Sequence, residues 1–197
     1  MSVAARVTKS VLVPHRLLTA ADLAALPEEL PSGPVLYELD NGRLVIMPPP
    51  GDIHGAVESN LTAELKAQER RGLGKARCGD VGIVLWRAPD RVVGADAVFI
   101  ANTSLPIRQS KEGYLETIPD LVVEVRSKND SSAEIRQKVR DYLKAGVRVV
   151  WVADPQALTV TAYRRARKPK VFREGDTLTV EDIIPGFQLA VRTVFEV

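Results

Sequence analysis

The sequence predicts a mixed α/β domain whose central sheet is partly parallel and partly antiparallel. Three patterns point there. Asp40-Asn41-Gly42 sits between two apolar runs, the signature of an antiparallel hairpin. A strand, a helix and a second strand fill 121–152, and a crossover of that length joins parallel strands. From Leu158 onward, short runs alternate with turns at Lys168-Pro169 and Glu174-Gly175, as in small antiparallel strands.

The elements follow in chain order. Thr19 is placed to cap a short helix over 20–26, which Pro27 ends. Strands over 35–39 and 43–47 flank the Asn41-Gly42 turn, and Pro48-Pro49-Pro50-Gly51 breaks the sheet. A helix is predicted over 53–71, where Val57, Leu61 and Leu65 stack on one face, with Gly72 and Gly74 stopping it. Residues 75–86 read as one or two strands and 94–100 as another. The stretch 101–117 has weak periodicity and is predicted as a long loop with a short helical turn. The crossover then runs through an apolar strand over 121–125, an amphipathic helix over 131–145 closed by Gly146, and a strand over 147–152.

Composition narrows the class. The 197 residues are 45% hydrophobic and 26% charged, with 13 Gly and 13 Pro; this is one globular domain able to bury a core, not a disordered or low-complexity chain. A lone Cys78 excludes a disulfide framework and a cysteine-based zinc cluster, and His15 and His54 are too few for a multi-histidine metal site. Apolar stretches such as 81–86 are too short to cross a bilayer, and 1–19 lacks a signal core, so a cytoplasmic protein with no membrane partner is expected. Charge is nearly balanced, 27 Lys plus Arg against 25 Asp plus Glu. Yet Arg164, Arg165, Arg167, Lys168, Lys170 and Arg173 cluster with no acid between them, which makes either a solvated hairpin or a patch that meets phosphate.

Three charges fall where burial is predicted. Glu124 lies inside Leu121-Val122-Val123-Glu124-Val125, a strand that reads as covered on both faces, where an unpartnered carboxylate is costly. Asp96 begins a run in which alternation puts it on one face with Val98 and Ile100. On the helix, Ile135, Val139, Tyr142 and Leu143 form an apolar arc, and Arg136, Arg140 and Lys144 lie opposite; Lys138 sits at the edge of the arc and points toward the sheet. A buried Glu124–Lys138 ion pair and a turn-capping Asp96 would account for each singly, but inward charges that converge cluster at functional sites. Two carboxylates on neighbouring strands, offering oxygen alone, suit Mg²⁺ or Mn²⁺ rather than zinc. An adjacent ammonium orients or helps deprotonate a water, or stabilises charge on a phosphate, which is the equipment of phosphodiester hydrolysis.

Several strings together resemble a known family. They are Tyr37-Glu38-Leu39-Asp40-Asn41-Gly42, His54 at a helix start, Asp96, and Pro119-Asp120-Leu121-Val122-Val123-Glu124-Val125, followed by Lys138, Tyr142, Ala145-Gly146-Val147, Trp151 and Asp154-Pro155. This set is similar to the Uma-two family of the restriction-endonuclease-like PD-(D/E)XK superfamily, from about residue 18 to the C-terminus. The resemblance implies a restriction-endonuclease-like domain over 18–197, a central mixed sheet flanked by helices, after an N-terminal extension over 1–17. It implies Asp96 and Glu124 as catalytic acids and metal ligands, with Ala95 standing where the superfamily has proline, and the backbone carbonyl of Val125 as a third ligand. The superfamily lysine lies two residues after the acid, a position held here by Arg126; in the Uma-two pattern it lies on the following helix, which matches Lys138. Glu38 and His54 are secondary candidates near the metal. Glu58, one turn after His54, reads as solvated, and Asp120 and Asp154 as structural residues at loop and turn.

The leading reading is therefore an endonuclease that hydrolyses DNA with Mg²⁺ or Mn²⁺; the alternative is a catalytically silent nucleic-acid-binding or interaction module on the same fold. Two buried acids beside a lysine favour the enzyme, since a binding module has no use for them. Arginine stays protonated, whereas a lysine in a partly apolar pocket can have its pKa lowered enough to orient or deprotonate a water, although neighbouring carboxylates oppose that shift; Lys138 is therefore expected as the catalytic cation and Arg126 as a phosphate contact or structural partner. Arg165, Lys168 and Lys170 are the candidate DNA contacts. Cutting both strands needs two sites or two visits, so a homodimer is expected.

Overall fold

The structure is a computed structural model and describes residues 10–12, 16–128 and 130–197. The expected extension falls mostly outside these residues, as does His15, but its described piece, β1 (Ser10–Leu12), pairs antiparallel with the edge of the main sheet. Next come α1 (Ala20–Ala24), the small ribbon β2 (Glu29–Leu30) and β3 (Gly33–Pro34), and the hairpin β4 (Leu36–Asp40) and β5 (Arg43–Met47). Asn41 and Gly42 both take positive φ in its turn, the conformation that makes Asn-Gly a hairpin signal. Helix α2 (Asp52–Arg70) leads to the long antiparallel pair β6 (Gly74–Trp86) and β7 (Arg91–Ala101). A single 3₁₀ turn at Asn102–Ser104 opens the loop before β8 (Leu121–Val125), α3 (Ser132–Ala145) and β9 (Val149–Asp154). The chain closes with β10 (Thr159–Tyr163), β11 (Lys170–Phe172), β12 (Thr177–Leu178), β13 (Leu189–Ala190) and the one-turn α4 (Val191–Val194).

Nine strands form the main sheet in the order β1-β5-β4-β7-β8-β9-β10-β11, with β6 along the remaining edge of β7. Among the strands of the described residues only β8 and β9 run parallel, joined by α3 as the crossover pattern requires. The helix ends match their chemistry. Ser131 and Glu134 form a reciprocal capping box at the start of α3, and Gly146 ends it at φ +114, a left-handed position that glycine adopts without strain. Thr19 and Asp22 cap α1 in the same way; that helix stops before Leu26 because the residue preceding Pro27 is driven from helical geometry.

Two helical layers cover the sheet. On one face Val57, Leu61 and Leu65 of α2 and the C-terminal Ile184, Phe187 and Val194 pack on Phe99, Val123 and Trp151. On the other, Ile135, Val139 and Tyr142 of α3 pack on Val98, Ile100, Val122 and Val150. Among the described residues no helix is long and apolar enough to cross a membrane.

β7 is longer than periodicity suggests, beginning at Arg91 rather than Gly94, and it is the hub of the sheet. β6 runs along one edge, while the other edge is divided: Val92 pairs with Leu39 of β4, and Ala97, Val98 and Phe99 pair with Val123, Val122 and Leu121 of β8. Asp120 secures the β8 side. Its buried carboxylate accepts from the Ala101 N–H at 2.8 Å and from Arg148 at 3.2 Å. Asp120→Ala leaves the buried Ala101 N–H without a partner, so urea unfolding is expected to show a loss of about 1–3 kcal/mol at unchanged m-value.

Candidate active site

Between Val92 and Ala97, β7 has no strand along its divided edge, since β4 and β8 part there. Its backbone polar groups still need partners, and side chains supply them. The Gly94 N–H donates to Glu38 Oε1 at 3.1 Å, and the Gly94 carbonyl accepts from Lys138 Nζ at 3.2 Å. One residue pair further along, the Val125 N–H of β8 donates to Asp96 Oδ2. The gap in the ladder thus gathers residues from β4, β7, β8 and α3 around one point.

On the α3 side of the gap the charges interlock. Lys138 Nζ lies 2.8 Å from Glu38 Oε1 and 3.1 Å from Glu124 Oε2. Tyr142, one helical turn after Lys138, donates its hydroxyl to Glu124 Oε1 at 2.5 Å. Behind them Arg91 Nη1 stands 3.5 Å from Glu38 Oε2, and its Nε bonds Asp141 Oδ2 at 2.9 Å. Burial raises the Glu124 pKa to about 7; Asp96 adds to the rise and Lys138 opposes it. Burial acts in the same direction on Glu38, but Lys138 and Arg91 outweigh it and hold that carboxyl below the usual range. Lys138 is subject to the opposite pull: burial alone would strip its proton, yet Glu124 and Glu38 together push its pKa well above the ordinary lysine value. Of the two opposed shifts expected of Lys138, that of the carboxylates prevails, which favours a cation that orients a water or offsets charge on a phosphate over one that takes a proton.

Asp96 faces the other way. Ala95 and Val98 pack in the same layer against α3, so alternation breaks between them, and Asp96 does not share the face of Val98 and Ile100 as expected. The cause is an irregularity in the β6–β7 pairing: Val81 opposes Ala95 and Cys78 opposes Ala97, leaving Gly79 and Asp80, both at positive φ, against Asp96. Asp96 Oδ2 instead lies 3.4 Å from His54 Nε2 in the first turn of α2. Glu58, one turn on, is half-buried rather than solvated and accepts from the Gly79 N–H at 3.0 Å. Burial raises the Glu58 and Asp80 pKa values, with Asp96 adding to both. Burial lowers that of His54, but Asp96, Glu58 and Asp80 more than offset it, and the net shift is upward.

These donors fit a cation. One atom each from His54, Glu58 and Asp96 lies within 4.8 Å of the others, and the buried His54 Nδ1 makes no hydrogen bond with any described residue, Glu58 Oε2 standing 4.0 Å away. Raised carboxyl pKa values mark acids crowded together out of water, a condition that a bound divalent ion relieves. Two carboxylates suit Mg²⁺ or Mn²⁺, and the imidazole suits the transition metal of the two. Both Glu124 oxygens already accept bonds from α3, but each has a second lone pair to offer.

The other sequence candidates lie apart from this network. Arg126 turns its guanidinium to Asp154 Oδ2 at 3.0 Å and to Ser132 Oγ at 3.2 Å. Arg165, Lys168 and Lys170 are exposed on the β10–β11 hairpin, toward the far edge of the sheet; Lys170 lies over the Phe172 ring, and neighbouring Arg164 is bound by Asp182. Asp80, Arg91 and Asp141 escaped sequence reasoning. For Asp80 a signal existed, since Gly79-Asp80 interrupts a strand with residues that favour bulges. Arg91 and Asp141 are 50 positions apart and carry no local signal.

The Glu124 shift has a definite consequence for stability. Its carboxyl titrates near the ordinary glutamate value when unfolded and at about 7 when folded, so the folded chain holds the extra proton between those values. Stability then falls as pH rises from about 4.5 to about 7, the reverse of a salt-bridged acid. Urea unfolding in EDTA across that range is expected to show this decline in the wild type and a shallower one in Glu124→Gln.

Comparison with known proteins places the chain. It is similar to a solved structure from Anabaena variabilis ATCC 29413 described as "a putative nuclease belonging to DUF820", with a TM-score of 0.70 and 20% identity over 86% of this chain and 93% of that one, which bears on the fold. No curated protein matches it. A family model named Uma2, "Putative restriction endonuclease", matches residues 21–192. That match begins inside α1, ends inside α4 and spans every element between them, and the chain belongs to the Uma2 family.

Proposed function

We propose that this protein is a metal-dependent endonuclease that hydrolyses DNA phosphodiester bonds, using Mg²⁺ or Mn²⁺. The observation that carries the reading is a buried lysine held charged between Glu38 and Glu124, at the same break in the sheet that presents Asp96. Closing the ladder at Gly94 takes one acceptor and one donor, which Glu38 and Lys138 supply, so the further buried acid Glu124 drawn to the same ammonium is more than a purely structural gap requires.

The roles in this reading are as follows. Asp96 and Glu124, with the Val125 carbonyl, would hold the ion, and His54 and Glu58 are further donors on the Asp96 side. Such an ion, when bound, polarises a phosphoryl oxygen and lowers the pKa of a water. Lys138 sets its ammonium where charge grows on the phosphate, and Glu38 and Tyr142 hold the Lys138–Glu124 pair in register. Arg126 would contact a neighbouring phosphate only by leaving Asp154 and Ser132, and otherwise serves as their structural partner. Arg165, Lys168 and Lys170 supply contacts to the DNA backbone away from the cut, and a homodimer would bring two such sites to one duplex.

Supercoiled plasmid incubated with the protein and Mg²⁺ or Mn²⁺ is expected to be nicked or linearised, and to stay intact with chelator. Lys138→Met, confirmed as folded because it leaves two buried acids without their cation, is expected to lose cleavage by orders of magnitude. Arg126→Ala is expected to lose more DNA affinity than turnover; a dead Arg126→Ala beside an active Lys138→Met would reverse the two roles. DNA bound but never cut by the wild type would leave a silent binding module.

The basic hairpin has its own test. Replacing Arg165, Lys168 and Lys170 together by Ala is expected to weaken binding to all DNA sequences alike and to make the salt dependence shallower, since fewer counterions are released. A wild-type salt slope in the triple variant returns the cluster to a solvated surface.

A further inference from the structure

A cavity of about 120 Å³ adjoins the acid–lysine network, lined among others by Leu36, Tyr37, Met47, Asp80, Gly94 and Tyr114. Gly94 belongs to both, since its carbonyl accepts from Lys138. Within this wall Asp80 is the group that the mechanism above leaves unused. It is held at φ +53, a conformation uncommon for a residue with a side chain, at the irregularity in β6. Its carboxylate is half-buried and accepts no hydrogen bond from any described residue, although the charges of Lys138 and His54 act on it. The rest of the lining includes aromatic and aliphatic side chains. Tyr114 packs onto the backbone of Gly82, where a Cβ would come within 2.5 Å of its ring, so the strand itself makes room for the tyrosine.

Size, lining and acceptor select a ligand class. A cavity of about 150 Å³ takes a single benzene ring and pockets for drug-sized ligands run from about 300 Å³, so this one, at about 120 Å³, excludes a two-ring purine and admits at most one six-membered ring that is not wholly enclosed. Tyrosine rings offer stacking faces to an unpaired base. A lone carboxylate accepts the exocyclic amine of cytosine, whereas thymine presents an acceptor at the same place. A base reaches such a pocket only by leaving the duplex stack.

We propose that this cavity is a nucleobase subsite that takes one unstacked pyrimidine, cytosine by preference, beside the phosphate to be cut, with Tyr37 and Tyr114 as stacking surfaces and Asp80 accepting the base amine. The inference rests on the nuclease reading and narrows its substrate to DNA carrying an unpaired nucleotide next to the scissile bond.

The test uses the full chain in EDTA, so that nothing is cut, and fluorescein-labelled duplexes bearing one extrahelical cytosine, thymine or abasic residue at the same position. Fluorescence anisotropy is expected to show cytosine bound ~10-fold more tightly than the abasic site, the scale of one base–aromatic stack. Asp80→Asn, a residue that tolerates the left-handed backbone, is expected to erase the preference for cytosine over thymine while leaving abasic DNA bound as before. Tyr37→Ala is expected to lose the ~10-fold gain, and Tyr37→Phe to keep it. Equal binding of cytosine and abasic duplexes overturns the subsite alone, as does an Asp80→Asn variant that keeps its base preference or that instead loses Mn²⁺ affinity by calorimetry. A folded protein that binds none of the duplexes overturns the nuclease reading and the subsite with it.

Discussion

A strand that loses its neighbour midway along a sheet must satisfy its amides and carbonyls by other means, and in this protein that requirement organises everything around β7. Where β4 and β8 separate, Gly94 offers an N–H and a carbonyl to an edge with no strand on it. Glu38 takes the first and Lys138 the second. Once those two are drawn in, Glu124 has a cation to face and Arg91 has an acid to face. The ionisable groups are therefore not added to a finished sheet; they complete its hydrogen bonding, and the apolar layers on both sides keep water from doing so.

The same arrangement separates two kinds of acid. Glu38 is surrounded by cations and is held charged. Glu124, Glu58 and Asp80 are crowded by burial and by Asp96, and their proton affinity rises. Charge is thus settled on the Glu38 side of the gap and unsettled on the Asp96 side. A divalent ion has most to gain on the second side, and a permanent ammonium already serves the first. Glu124 belongs to both sides: it bonds Lys138 and Tyr142 of α3, yet its proton affinity rises like that of the acids gathered near α2.

Much of the fold was legible because its signals are local. The Asn41-Gly42 turn, the Val57, Leu61, Leu65 stripe and the apolar strands on either side of α3 each state their conformation within a few residues. Lys138 could be turned inward on helical phase alone. What escaped was set by distant partners. Arg91 reads as a loop residue until Glu38 and Asp141, far off in the chain, neutralise it and allow β7 to start early. The face of Asp96 was misjudged because strict alternation assumes an unbroken ladder, and the break lies in pairing with Gly79 and Asp80 on another strand. Glu58 looked solvated because nothing near it in sequence shows that Asp96 and the Gly79 amide lie overhead.

The capped start of α3 has a consequence for how this chain tolerates insertions and deletions. Ser131 and Glu134 lock the first turn, and Gly146 releases the last, so the rotational phase of the helix is set from its own ends rather than by the loop that enters it. A residue added between Arg126 and Asp130 lengthens a surface connection and leaves Lys138 and Tyr142 where they are. A residue added between Ser131 and Lys138 turns both side chains by about 100° relative to the cap, away from the gap in the sheet. Length variation among natural relatives should therefore accumulate on the near side of that serine and stop at it.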